Sequence, residues 1–163
     1  SLTPLSGATK LRYLYAYNNA LTSLVGLENS QDLESLQIGD NAIVSLTSLT
    51  GLDRIEYLSA NDNQITSLAG IEGLVELREL NLNRNLIASA SPLAGLTELE
   101  YLYLDNNRLT SLDGLASLDD LERLSLHEND FSDETDLSKL SSMTSLVYLG
   151  LNDSDVELSL IHI

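Results

Sequence analysis

The chain has 163 residues, 43% of them apolar, a mean hydropathy near zero and no cysteine, which describes one packed domain without disulfide caps, a catalytic thiolate or thiolate-bound zinc. Its formal charge is −17, from 25 acidic residues against eight basic ones, so phosphate backbones and anionic membrane surfaces are excluded as partners. No stretch approaches the roughly 18 apolar residues of a membrane helix, and direct membrane insertion is not expected.

From Leu11 onward the pattern LxxLxLxxNxL recurs at Leu33, Ile55, Leu77, Leu99 and Leu121, each 22 residues after the last. A seventh copy starts at Leu146, displaced by three residues. Alternation of apolar and polar positions predicts strands near 12–17, 34–39, 56–61, 78–83, 100–105, 122–127 and 147–152, with the leucines inward. A second apolar set on each return segment, as in Leu112, Leu115 and Leu118, has the spacing of a 3₁₀ or short helical turn. The displaced register predicts a loop over Ser132 to Asp136. The closing segment VELSLIHI, with Val156, Leu158, Leu160 and Ile163, reads as a further edge strand, through which the isolated piece is expected to dimerise end to end. One such repeat cannot bury its apolar face alone, so the reading is a single solenoid domain, residues 1–163, of about seven stacked repeats.

Asn19, Asn41, Asn63, Asn85, Asn107 and Asn129 form one column, with Ser154 in the last copy. A short amide at a strand-to-loop corner can satisfy the unpaired backbone of adjacent coils, which explains the repeated choice. Gly26, Gly70 and Gly114 lie 44 residues apart, as do Tyr13, Tyr57 and Tyr101, so a pair of repeats reads as the duplicated unit. Alanine or serine at positions 8, 16, 30 and 60, in columns that later hold leucine, predicts that the N-terminal repeats are the less stable end.

The 22-residue period and the segment NQITSLAGIEGLVELRELNLNRN resemble the leucine-rich repeats of bacterial internalins and the related repeats of a eukaryotic phosphatase regulator. The resemblance covers essentially the whole chain. It implies an α/β solenoid, a right-handed curved coil with a parallel concave β-sheet and a 3₁₀, short-helical or extended convex side. In internalin-like proteins the concavity binds a host surface protein. A helical N-terminal cap before Leu2, a C-terminal cap and a wall anchor are not recognisable, so the chain reads as a segment of a longer protein.

The outward strand positions hold all seven tyrosines, Tyr13, Tyr15, Tyr17, Tyr57, Tyr101, Tyr103 and Tyr148. Aromatic residues favour strands and pair across them, an explanation that needs no ligand. Tyrosine is also well suited to an exposed anchor, because it offers a large contact area at low entropic cost. In the first column the tyrosines alternate with Ser35, Glu79 and Arg123, leaving polar gaps between aromatic ridges about 9 to 10 Å apart. The partner-binding set is therefore the seven tyrosines with Glu79, Arg123 and His127.

At the strand ends run Gly39–Asp40, Asn61–Asp62, Asn83–Arg84, Asp105–Asn106, His127–Glu128 and Asn152–Asp153. Such oxygens suit calcium, but Arg84 interrupts the row, no known calcium-loop spacing is present, and turns favour these residues anyway. The sequence names no metal ligand and no cofactor. Ser125, His127 and Asp105 are the one set with the types of a hydrolytic triad, yet a nucleophile elbow, an oxyanion hole and an enclosed pocket are missing, so no catalytic residue is assigned. His162 reads as ordinary surface.

The function read from these features is non-enzymatic protein recognition on the concave face, with a partner that carries basic patches. Carbohydrate or cell-envelope binding, and a spacer role in a bacterial adhesin, are the alternatives. A secreted or surface-exposed bacterial location is expected, with a cytoplasmic one as the alternative.

Overall fold

The computed structural model describes residues 1–131 and 137–151. The loop expected over Ser132 to Asp136 lies outside them, as do Asn152, Asp153, Ser154, His162 and the closing VELSLIHI segment.

Seven short parallel strands form one sheet in strict chain order. They are β1 (Tyr13–Tyr15), β2 (Ser35–Gln37), β3 (Tyr57–Ser59), β4 (Glu79–Asn81), β5 (Tyr101–Tyr103), β6 (Arg123–Ser125) and β7 (Tyr148–Gly150). Each is three residues, the middle of the longer window marked by the alternation. Inter-coil pairing nonetheless runs on past the strands proper, as in Ala16 N–H to Gln37 C=O at 2.8 Å and Asn18 N–H to Gly39 C=O at 2.9 Å. The chain turns at a residue with left-handed backbone in each of six coils, Asn18, Asp40, Asp62, Arg84, Asn106 and Glu128, with φ between 52° and 54°, and the pairing continues through that turn, as in Asn41 N–H to Asp62 C=O at 3.2 Å.

Inside the coil, every strand from β2 to β6 contributes a central leucine that is fully or almost fully buried, from Leu36 to Leu124. These stack with the return-segment leucines and isoleucines into one continuous core. At about 25 cal/mol for each Å² of apolar surface removed from water, this stacking is the main stabilising term, and it exists only between neighbours. In the first coil Leu11, Leu14, Ala16 and Leu21 are only partly buried.

At each corner the asparagine side chain is spent on backbone. Asn85 Nδ2 donates to Ala60 O at 2.9 Å in the preceding coil and to Leu82 O at 3.0 Å and Asn83 O at 3.4 Å in its own, while its Oδ1 accepts from Ile65 N–H at 3.0 Å. Asn41, Asn63, Asn107 and Asn129 repeat this pattern. Asn19, in the first coil, donates only to Ala16 O and Tyr17 O.

On the return side, alternate coils differ. The 3₁₀ turns are Thr3–Leu5, Thr47–Leu49, Ser91–Gly95 and Leu137–Ser142. The coils between them, including the one carrying Leu112, Leu115 and Leu118, turn instead around Gly26, Gly70 and Gly114 with φ of 114°, 106° and 90°. The 3₁₀ expectation therefore holds for every second coil. The reason is crowding: a Cβ at Gly70 would come within 2.5 Å of Leu46 O and 2.6 Å of Thr47 Cα, at the start of the 3₁₀ turn below. Gly26 and Gly114 sit just as tightly on Leu2 and Ala90. A serine column that the repeat pattern did not single out caps these turns, with the hydroxyls of Ser23, Ser45, Ser67, Ser89 and Ser111 each accepting a backbone N–H two residues on.

Two substitution series follow. Gly70→Ala loses both the left-handed backbone and the close approach, and should cost about 2 to 4 kcal/mol, against about 1 kcal/mol for Gly51→Ala, which has φ of 84° but open space. Asn85→Ala strands several buried backbone groups and should cost about 2 to 4 kcal/mol, well above Asn19→Ala. Urea-unfolding midpoints check both orders, and equal midpoints within either pair would refute the corresponding explanation.

Candidate functional site

The strand register aligns Tyr13, Ser35, Tyr57, Glu79, Tyr101, Arg123 and Tyr148 in one column across the solvent face of the sheet. Tyr15, Gln37, Ser59, Asn81, Tyr103, Ser125 and Gly150 form the next. Tyr17 and His127 follow just beyond β1 and β6. The tyrosines stand well out of the surface: Tyr13 is 50% exposed, Tyr15 59%, Tyr17 60%, Tyr57 45% and Tyr148 37%, while Tyr101 and Tyr103 are half-buried.

Three of these rings are held by neighbours. Tyr13 OH donates to Glu34 Oε2 at 3.0 Å, and Arg12 grips the same carboxylate with two bonds of 2.7 Å, its guanidinium 5.4 Å from the Tyr13 ring centre. Tyr101 OH donates to Glu122 Oε2 at 3.2 Å. Tyr148 lies under the Arg123 guanidinium, 4.3 Å from its ring centre, and its hydroxyl is 3.3 Å from His127 Nε2. Gly150 makes room for the imidazole, since a Cβ there would collide with His127. Arg12, Glu34, Glu122 and Gly150 were not singled out from the sequence. The 22-residue alignment carries the signal for the glutamates, because each belongs to the coil after the tyrosine it holds.

A leucine-rich-repeat family model, described as two repeat copies, matches residues 53–95 and again 97–134. An internalin (inlF) from Listeria monocytogenes superposes on 94% of this chain at a TM-score of 0.90 and 30% identity. The chain is an internalin-like leucine-rich-repeat protein. A second Listeria monocytogenes internalin (inlC2) matches 97% of it at 29% identity and a TM-score of 0.68, and a leucine-rich-repeat protein of Leptospira interrogans matches 96% at 27% and 0.88. This chain spans 44%, 84% and 41% of those three structures respectively. No curated protein sequence matches it.

Within this leucine-rich-repeat sheet, Ser125 Oγ donates to Asp105 Oδ1 at 2.6 Å, and the backbone N–H of His127 donates to the same oxygen at 2.9 Å. The three residues of the conceivable triad thus meet, but the serine proton points at the carboxylate and the imidazole turns to Tyr148. That is a clasp between β6 and the coil before it, in which the imidazole faces Tyr148 and not the Ser125 hydroxyl. Along the strand ends, Asp62 is held by Arg84 through two contacts, one of them at 2.6 Å, and its carboxyl is kept below the usual range chiefly by that bond. Among the described residues no group of three His, Asp or Glu side chains is placed to hold a metal ion, and no helix is long and apolar enough to cross a membrane.

The carboxylate partners alter the tyrosines they hold. Accepting the phenol proton, Glu34 raises the pKa of Tyr13 and Glu122 raises that of Tyr101, since a hydrogen bond to the neutral form opposes ionisation. Both phenols should titrate above 10, and Glu34→Gln should move the Tyr13 midpoint downward. Following the ring carbon bonded to oxygen by NMR tests this. An unchanged Tyr13 midpoint in the variant would mean that Glu34 is not its partner.

Proposed function

We propose that this leucine-rich-repeat chain is a non-enzymatic recognition module that docks a protein on the solvent face of its sheet, in a bacterial protein that is secreted or displayed at the cell surface. The observation that carries the reading is the gathering of every tyrosine on that one face, five of them exposed by more than a third although buried packing would serve an aromatic better. Tyr13 and Tyr101 are already held by hydrogen bonds, so less side-chain freedom is lost when a partner arrives. Long-range attraction would come from the charge of −17, which favours a partner with basic patches and acts more on encounter rate than on residence. The bacterial sources of the similar structures support the proposed habitat.

The test is affinity capture from host-cell and cell-envelope extracts, comparing the chain with a triple variant carrying Tyr13→Ser, Tyr57→Ser and Tyr101→Ser. A protein retained by the parent and held at least about tenfold more weakly by the variant is expected, since exposed aromatic anchors dominate such interfaces. Retention of glycans alone would move the reading to carbohydrate binding. If neither form retains anything, a spacer role becomes the better description.

A further inference from the structure

We infer that Glu79, flanked by Tyr57 and Tyr101, is the floor of a slot that receives a cationic side chain, arginine above all, from the protein partner; the inference rests on the recognition reading above. The first column of the sheet has three gaps between successive tyrosines, each one strand wide. With strands about 4.8 Å apart, the walls of a gap stand about 9 to 10 Å from each other, enough for one flat group between two rings.

The three gaps are filled differently. Ser35, between Tyr13 and Tyr57, is 7% exposed and leaves nothing charged at the surface. Arg123, between Tyr101 and Tyr148, occupies its own gap with a guanidinium 4.3 Å from the Tyr148 ring centre. The protein therefore already contains a worked instance of a guanidinium stacked on a tyrosine in this column. Glu79 holds the corresponding position in the column with the charge reversed: a half-buried glutamate, with Tyr57 on the strand before it and Tyr101 on the strand after. Among the described residues no hydrogen bond or ion pair engages that carboxylate, because neighbouring Arg78 turns to Glu100 at 2.6 Å.

A cation entering this gap meets a carboxylate below and ring faces at its sides, two attractions that reinforce each other where water is partly displaced. Guanidinium suits it better than ammonium, since it is planar, less strongly hydrated and can fork to a carboxylate while stacking. An acidic or neutral group would leave Glu79 desolvated without compensation. On the adjoining flank Arg78 is taken up by Glu100, while the chain as a whole carries a charge of −17 that favours a cation over an anion.

The probe is N-acetylated hexa-arginine amide, titrated at low salt into isotope-labelled protein and followed by NMR. The largest shifts are expected at the Glu79 carboxyl carbon and at the rings of Tyr57 and Tyr101. Glu79→Gln should weaken binding about fivefold without moving the unfolding midpoint, and hexa-lysine should bind less tightly than hexa-arginine. Equal affinity in Glu79→Gln, shifts confined to carboxylates away from the Tyr57–Glu79–Tyr101 column, or no binding at all would overturn the slot. Any of those results would leave recognition through the tyrosines standing, because the triple tyrosine variant tests that separately.

Discussion

From the second coil to the sixth, the chain turns a corner at which a row of backbone groups is withdrawn from water, and an asparagine side chain pairs those groups. Its amide nitrogen reaches one carbonyl in the coil below and two in its own, and its oxygen takes an N–H from the preceding coil. Unpaired, those groups would each cost on the order of 1 to 3 kcal/mol. Because the amide serves two coils at once, corner and stacking are formed together, and the parallel strands are brought into register with no shift from β1 to β7. The leucine core supplies most of the gross stabilisation, but leucine packing alone is tolerant of small slips. The amide ladder is not.

The recognition face inherits its order from that register. Side chains 22 residues apart fall into columns, so a local choice such as tyrosine, glutamate, tyrosine becomes a surface motif. A solenoid of this kind writes its surface as text in rows, with little bending of one row by another. The clasps among Tyr13, Glu34 and Arg12, and among Arg123, Tyr148 and His127, are two of the places where neighbouring rows correspond.

Much of this was legible in advance because the information is periodic. Strand positions, core leucines, the asparagine column and the outward tyrosines all follow from a 22-residue repeat and a two-residue alternation. The corners were less legible, since the chain turns at a left-handed residue that is Asn or Asp in four coils but Arg84 and Glu128 in two. The pairing of Tyr13 with Glu34 depends on which way two flexible side chains turn, and periodicity does not encode that. Nor did the types of Ser125, His127 and Asp105 reveal that the hydroxyl would face the carboxylate and the imidazole would lie over Gly150.

The alternation of 3₁₀ and glycine turns on the return side has a consequence for how such a molecule can change length. A glycine coil fits closely onto a 3₁₀ coil beneath it, whereas a Cβ added at Gly95, within a 3₁₀ coil, would meet Glu72 O of the glycine coil below at an ordinary 3.8 Å. The two kinds of step are not interchangeable. Excising one repeat would put two coils of the same kind in contact and set a bulky turn where only a bare backbone fits. Excising two would restore the original sequence of steps. Adding or removing coils two at a time therefore preserves the packing of the return side, and adding or removing one does not.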